Sequence, residues 1–351
     1  MALRHVRIPT IVCLCGAYVL SLMACTPFEE APAQTRERVF GDLHPPQLRA
    51  LAMEDPHIIV ARFNEVTSVS PEDIIIQPGL GAIEVSAEDR TVTVTTERPA
   101  EVGRPYTIEA TARDEAGNTL TFMLRVTGYN PSPARLIINE FTCQGSGNRP
   151  DLVELLVTES GNLGGVVFYA GSPREHAGSL TFPPVRVESG DFILVHLKPE
   201  GIDQEIDEID ATDISGGRNA HPEARDFWMA EPTGLSGNNG AVSLYAYQDG
   251  PLLDAVVYSN RSFDPEARYG SFGTKAAQIM IEEVVEDGGW MIAGETVRPE
   301  DAVDPEDSTS TRSISRGSDS ADTDTAADWH VTPTRGSTFG DVNTDQSYEG
   351  R

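Results

Sequence analysis

Two carboxylates raise the first chemical question. Glu140 and Glu154 lie in the apolar runs 136–141 and 152–157, which the Gly/Ser/Asn/Pro segment 144–150 separates. Apolar runs bounded by Gly and Pro read as paired strands with a loop between them. The two side chains should therefore sit on neighbouring strands, where a carboxylate pair can exchange protons or hold a cation. No His or Lys base is patterned beside them, so the stronger reading makes them structural carboxylates that satisfy loop amides or cap strand ends. A denser oxygen-ligand set follows at Asp203, Glu205, Asp207, Asp210 and Asp213. Calcium takes about six to eight oxygens, and alternating carboxylates can supply them. The run lacks the glycine and terminal Glu offsets of an EF-hand, and a solvated acidic loop is the simpler expectation. Asp319, Asp322 and Asp324 read the same way, in a segment expected to be disordered. Phe227 and Trp228, with Met229 beside them, are the exposed-aromatic candidates, either a partner-contact patch or an anchor for their loop.

Enzyme signatures are missing. There is no H-E-x-x-H, no Walker glycine–lysine pair, no G-x-S-x-G and no Cys/His metal spacing. Gly234-Leu235-Ser236-Gly237 echoes a nucleophile elbow without the apolar strand that should lead into it. Beyond the calcium reading, no cofactor is implied.

The elements that must position these groups follow from composition. A chain of 351 residues suits two domains with connecting segments. Its formal net charge is −29, and removing residues 1–24 with Arg4 and Arg7 makes it −31. That balance opposes nucleic acid, because phosphate binding needs Lys and Arg to displace counterions. It also opposes adhesion to anionic lipid through a basic patch, and it suits divalent cations or basic partners. Four cysteines (Cys13, Cys15, Cys25 and Cys143) do not make a disulfide framework, and Cys143 is expected buried or as a free thiol.

Residues 1–25 begin with Arg4, His5 and Arg7, continue through the apolar run 8–22 and end in Leu22-Met23-Ala24-Cys25. This is the layout of a secretory signal, its h-region too short for a confident membrane span. The small residue before Cys25 resembles the lipobox of bacterial lipoproteins. The resemblance implies a cleaved signal helix over 1–24, lipidation of Cys25 and attachment to the cell envelope. Thr26 in place of Asp implies sorting to the outer membrane. Several acyl chains on one cysteine would hold far more firmly than a single myristoyl group. Residues 25–47 carry Pro27, Pro32, Pro45 and Pro46 and form a tether.

Residues 48–130 show period-two alternation. Tyr106, Ile108, Ala110 and Ala112 share one face, and Leu120, Phe122, Leu124 and Val126 face them across the Asp114–Asn118 turn. Tyr106-Thr107-Ile108 and the D-x-x-G-N turn resemble bacterial Ig-like domains, implying a spacer. From Ala134 to Asn343 the chain resembles the lamin tail domain family. Its I-N-E motif is Ile138-Asn139-Glu140 and its V-E-L motif is Val153-Glu154-Leu155. Its closing hairpin matches Val242–Tyr245 and Asp254–Tyr258 around Asp249-Gly250. Its D-W…P-G-x-x-N ending matches Asp328-Trp329 and Gly340-Asp341-Val342-Asn343. The asparagine that often ends the V-E-L motif is Val157 here. Against a minimal module, 199–232 and 294–328 read as long acidic insertions, and 344–351 as a disordered tail.

The expected fold is all-β, two tandem Ig-like antiparallel β-sandwiches. The expected role is a lipid-anchored envelope lipoprotein acting as a non-enzymatic binding or structural module, contacting a protein or glycan. A calcium-dependent adhesin-like module and a hydrolase with a carboxylate site are the alternatives.

Overall fold

The computed structural model describes residues 42–350. The signal helix, Cys25 and most of the tether lie outside the described residues. Among the described residues the architecture is β-rich, as the alternation predicts, with several antiparallel sheets and one α-helix.

Seven strands build the first unit: β1 (Leu48–Asp55), β2 (Ile58–Phe63), β3 (Thr67–Gln77), β4 (Ile83–Glu88), β5 (Thr91–Thr96), β6 (Pro105–Asp114) and β7 (Thr119–Thr127). They form two sheets in the orders β1-β2-β5-β4 and β3-β6-β7. Ile59, Val94, Tyr106, Ile108 and Val126 meet in the core between them. The β6–β7 turn closes because Asp114 accepts the Asn118 N–H and side-chain amide, each at 2.8 Å, while Gly117 takes φ +92°.

The second unit begins with β8 (Arg135–Phe141), β9 (Leu152–Glu159), β10 (Gly161–Asn162), β11 (Val167–Gly171), β12 (His176–Thr181), β13 (Arg186–Val187) and β14 (Phe192–His196). It continues with β15 (Ala224–Trp228), β16 (Asn239–Tyr245), β17 (Leu252–Ser259), α1 (Lys275–Glu286), β18 (Ile314–Arg316) and β19 (Trp329–Val331). The main sheets run β15-β14-β9-β8-β18-β19 and β12-β11-β16-β17. One apolar core joins Ile138, Leu155, Phe168, Val195, Val242 and Val256. Six strands of the first sheet thus place the I-N-E and V-E-L motifs at its centre.

Three sequence expectations are corrected. The 199–232 segment is no simple insertion, since β15 pairs in parallel with β14, Phe192 opposite Ala224 and His196 opposite Trp228. The 294–328 segment contributes β18, which lies between β8 and β19 with Ser315 opposite Glu140. Residues 344–350 are tied down as well. The Tyr348 N–H donates to Val331 O at 2.7 Å, and Arg312 stacks 3.9 Å above the Tyr348 ring. Each segment looks polar because it supplies only a short strand or latch, whose stability comes from distant partners.

Helix α1 adds to the β framework. Thr274 caps it by accepting the Ala277 N–H at 3.1 Å. Its buried face of Ala277, Ile281 and Val284 joins the main core. The two units meet through Asn130, whose side-chain amide donates to Asn162 O at 2.9 Å and Gly164 O at 3.1 Å. Gly103 allows this approach, because a Cβ there would fall 2.3 Å from the Gly165 nitrogen. Beside the junction lies a cleft of about 630 Å³, lined in part by Met53, Arg125, Thr127, Tyr129 and Tyr247.

Candidate functional site

β8 and β9 pair so that Glu140 stands opposite Glu154, and both side chains are fully buried. A carboxylate without partners at such a site would be prohibitively costly, and each of these has several. Glu140 accepts hydrogen bonds from the Ser313 hydroxyl, the Thr338 N–H at 3.0 Å and the Thr338 hydroxyl at 2.8 Å. Glu154 accepts from the Asn139 side-chain amide at 2.8 Å and the Gly340 N–H at 2.5 Å. Asn343 completes the cluster by donating to Asn139 O at 3.1 Å and Arg316 O at 3.2 Å. The I-N-E, V-E-L and G-x-x-N motifs are therefore one buried network in three dimensions. The network fastens the C-terminal segment across β8 and β9. Gly340 is required in it: its φ is +81°, and a Cβ would fall 2.2 Å from His221 Nδ1.

Burial pushes the Glu140 carboxyl up, against the hydrogen bonds from Ser313 and Thr338. Glu154 is pushed up to about 8, by burial first and by the neighbouring Glu140 second. Two like charges this deep favour keeping a proton on the pair. What the arrangement does with its oxygens is hold backbone and hydroxyl donors of residues 313–340.

A second buried centre forms around Arg316 at the end of β18. Its Nε donates to Ile138 O at 2.7 Å and its Nη1 to Ala321 O at 2.9 Å. Nη2 lies 3.0 Å from Asp322 and 3.5 Å from Asp254, charge contacts rather than aligned hydrogen bonds. Asp328 approaches Nη1 at 3.4 Å, and the guanidinium stacks 4.5 Å above the Trp329 ring. Asp254 accepts the Ile138 N–H at 2.5 Å and the Ala255 N–H at 2.8 Å. Burial raises its carboxyl to about 7 despite Arg316, with Asp322 adding to the rise. Carboxylate oxygens of Asp254, Asp322 and Asp324 come within 4.8 Å of one another. Arg316 is already the cation among them.

The structure does not gather the acidic run of the 199–232 segment. Glu205 accepts the N–H groups of Glu200 at 2.6 Å and Gly201 at 2.7 Å. Asp207 accepts the Trp228 N–H at 2.8 Å. Asp203, Asp210 and Asp213 are exposed. Calcium ligation by the five together is thus corrected: two of them are spent on backbone amides, and the other three face solvent. Of the two readings of Phe227 and Trp228, the exposed partner-contact patch is corrected and the loop anchor holds. Phe227 is fully buried with its ring edge-on to Phe182, centroids 5.1 Å apart. Trp228 stacks 3.8 Å from His196, and its indole N–H donates to Ser215 at 3.1 Å. They anchor the loop rather than present a patch. Cys143 is buried as a free thiol, pushed up to about 12 by desolvation.

Sequence reasoning passes over Arg316, Asp254, Ser313, Thr338 and the buried His196–Asp226 contact at 2.6 Å. Asp254 and Asn343 lie inside quoted motifs, but Arg316 sits in a Ser/Thr-rich acidic stretch with no periodicity to mark it.

Fold and site together define a two-sheet β module clamped by buried carboxylates. Residues 134–331 match the family model described as "TP_1001_2nd: protein second domain", and the chain belongs to that family. A protein of Treponema pallidum (strain Nichols), described as uncharacterized, is 29% identical over 194 residues, 54% of this chain and 48% of that one. The chain thus spans about half the length of that relative. Among solved structures, the N-terminal part of the bacterial S-layer protein SbsC overlaps with a TM-score of 0.24 at 20% identity, over 38% of this chain and 37% of that one. Dimeric latent PorU from Porphyromonas gingivalis overlaps with a TM-score of 0.20 at 12% identity, over 66% and 20%. Overlaps of that size do not define a shared overall arrangement.

Proposed function

We propose that this chain is a cell-envelope lipoprotein, anchored at the outer membrane through acylated Cys25. Its first unit is an Ig-like spacer, and its second is a lamin-tail-like module that binds or scaffolds without catalysis. The observation that carries the non-enzymatic reading is how the motif carboxylates are used. Glu140 and Glu154 spend their oxygens on donors of residues 139, 313, 338 and 340, which are parts of the fold itself. A hydrolase needs such groups aimed at a cleft. The calcium-adhesin reading loses Glu205 and Asp207 to backbone amides in the same way. The anchor rests on the charge, apolar length and cysteine position of residues 1–25.

Cross-linking on intact cells tests the reading. The full chain should yield a cross-linked protein or glycan species that is lost when residues 134–343 are deleted. Retention of that species by the deleted chain would place binding elsewhere and contradict the role given to the second unit.

A further inference from the structure

Sheet edges expose unpaired backbone groups, and natural proteins protect them with bulges, prolines or charges. Three of the four edges in the first unit follow that rule. β1 has register shifts near both ends and carries Arg49, Glu54 and Asp55. β3 contains Pro71, Glu72 and Asp73 and a register shift between Val69 and Ile74. β4 carries Glu84 and Glu88. The fourth edge, β7, has none of these devices. It pairs with β6 in unbroken register over all nine residues, and among the described residues no strand pairs with its other side. In a chain of net charge −29 it carries no acidic residue, Arg125 being its one charged group. Met123 is 63% exposed on its outer face. Leu124, opposite buried Ile108 and so on the core-facing side, is still 45% exposed. A core-facing leucine left half open marks a sheet that stops one strand short.

We propose that the β7 edge is a strand-addition surface and that its occupant is β7 of a second copy of this chain. The sequence of β7, TLTFMLRVT, is complementary to itself in antiparallel register centred on Met123. Thr119 then faces Thr127, Leu120 faces Val126, Thr121 faces Arg125, and Phe122 faces Leu124. No like charges oppose each other, and the half-open Leu124 is covered by the partner's Phe122 on the core face. Directly opposite pairs of this kind are what stabilise sheets. A two-fold axis through Met123 makes the contact isologous, so it closes as a dimer rather than running on as a fibre. It joins two three-stranded sheets into one of six. At the far end of the strand, Arg125, Val126 and Thr127 border the junction cleft, whose other walls are Ala50–Glu54 of β1 and Ala246–Asp249 of the second unit, so the added strand is held mainly along residues 119–124.

Cysteine cross-linking in membranes from cells producing the full chain tests the register. Opposite residues in an antiparallel pair have Cα atoms ~4.5–5.5 Å apart, within disulfide reach. Met123→Cys should therefore form a self-disulfide under mild oxidant. Thr121→Cys is the control: its symmetry mate lies ~13 Å away along the strands, so its self-disulfide should be about tenfold or more weaker. Met123→Lys, at an exposed position, should leave the purified full chain monomeric in sedimentation where the wild type dimerises. Equal or stronger cross-linking of Thr121→Cys overturns the register. A wild type that stays monomeric at every concentration, or a Met123→Cys disulfide made only with a different polypeptide, overturns the second copy as occupant. Repeating the comparison in Cys25→Ala separates failure of the edge from failure of the anchor.

Discussion

Raising the pH from 5 to 8 should weaken this fold, and the direction follows from two buried carboxyls. Asp254 titrates near 7 in the folded chain against an ordinary 3.8, because burial outweighs Arg316 and the two amide donors. Glu154 titrates near 8 against 4.5, because burial and Glu140 act together. Both folded values lie above the unfolded ones. The folded chain keeps protons that the unfolded chain has released, so stability falls as pH rises between the unfolded and folded values. Each group contributes a slope of ~1.4 kcal/mol per pH unit in its window. For Asp254 that window closes near pH 7, so it alone removes ~2 kcal/mol between pH 5 and 7. The loss is a large fraction of the ~5–15 kcal/mol that holds a typical domain. Urea unfolding followed by tryptophan fluorescence measures it, since Trp228, Trp290 and Trp329 are all buried. The midpoint should fall with pH while the m-value holds. Asp254→Asn should be less stable at pH 5, because one amide hydrogen faces the Ile138 or Ala255 N–H, but its slope should be shallower by one group. A wild-type midpoint that is flat or rises between pH 5 and 8 would refute the reasoning, as would an Asp254→Asn slope as steep as the wild type's.

Arg316→Met removes the donors to Ile138 O and Ala321 O and, at pH 8 where Asp254 is ionised, leaves that buried carboxylate without its cation, so it should cost ~3–5 kcal/mol at that pH, read as a lower urea midpoint; a loss below ~1 kcal/mol would make the arginine incidental. Glu140→Gln keeps the shape but replaces an acceptor with a donor facing Ser313 and Thr338, so residues 338–350 should become protease-sensitive before the rest of the chain, as limited proteolysis with mass analysis would show. Ile281→Ala empties a fully buried position under α1 and should cost ~2–5 kcal/mol by thermal or urea unfolding.

Regular alternation was enough to read β6 and β7, where buried residues repeat every second position from Tyr106 to Asp114. The pairing of the I-N-E and V-E-L strands was legible for the same reason, together with the Gly/Pro loop between them. The closing hairpin also follows its turn chemistry, although Asp249 rather than Gly250 takes the left-handed conformation, at φ +61°. Helix α1 carried a usable signal in Ala277, Ile281 and Val284 behind Thr274, but Ile279, Val284 and Val285 give it the composition of a strand. Strand β18 was not legible. Three residues have no period, and Ile-Ser-Arg joins the sheet through partners about 175 positions away. The candidate site divides along the same line. Glu140 and Glu154 could be placed on neighbouring strands, whereas their donors at 313, 338 and 340 come from segments that look like acidic linker. Arg316 was hidden because a buried charge is defined by what surrounds it, and that is set by tertiary packing.

The mass of the mature N-terminal peptide tests the lipoprotein assignment most directly. The account predicts a chain that begins at Cys25, its mass increased by covalently attached acyl groups, and that leaves the envelope fraction in Cys25→Ala. A mature chain that still begins at Met1, or one that begins near residue 25 with an unmodified cysteine, would contradict it.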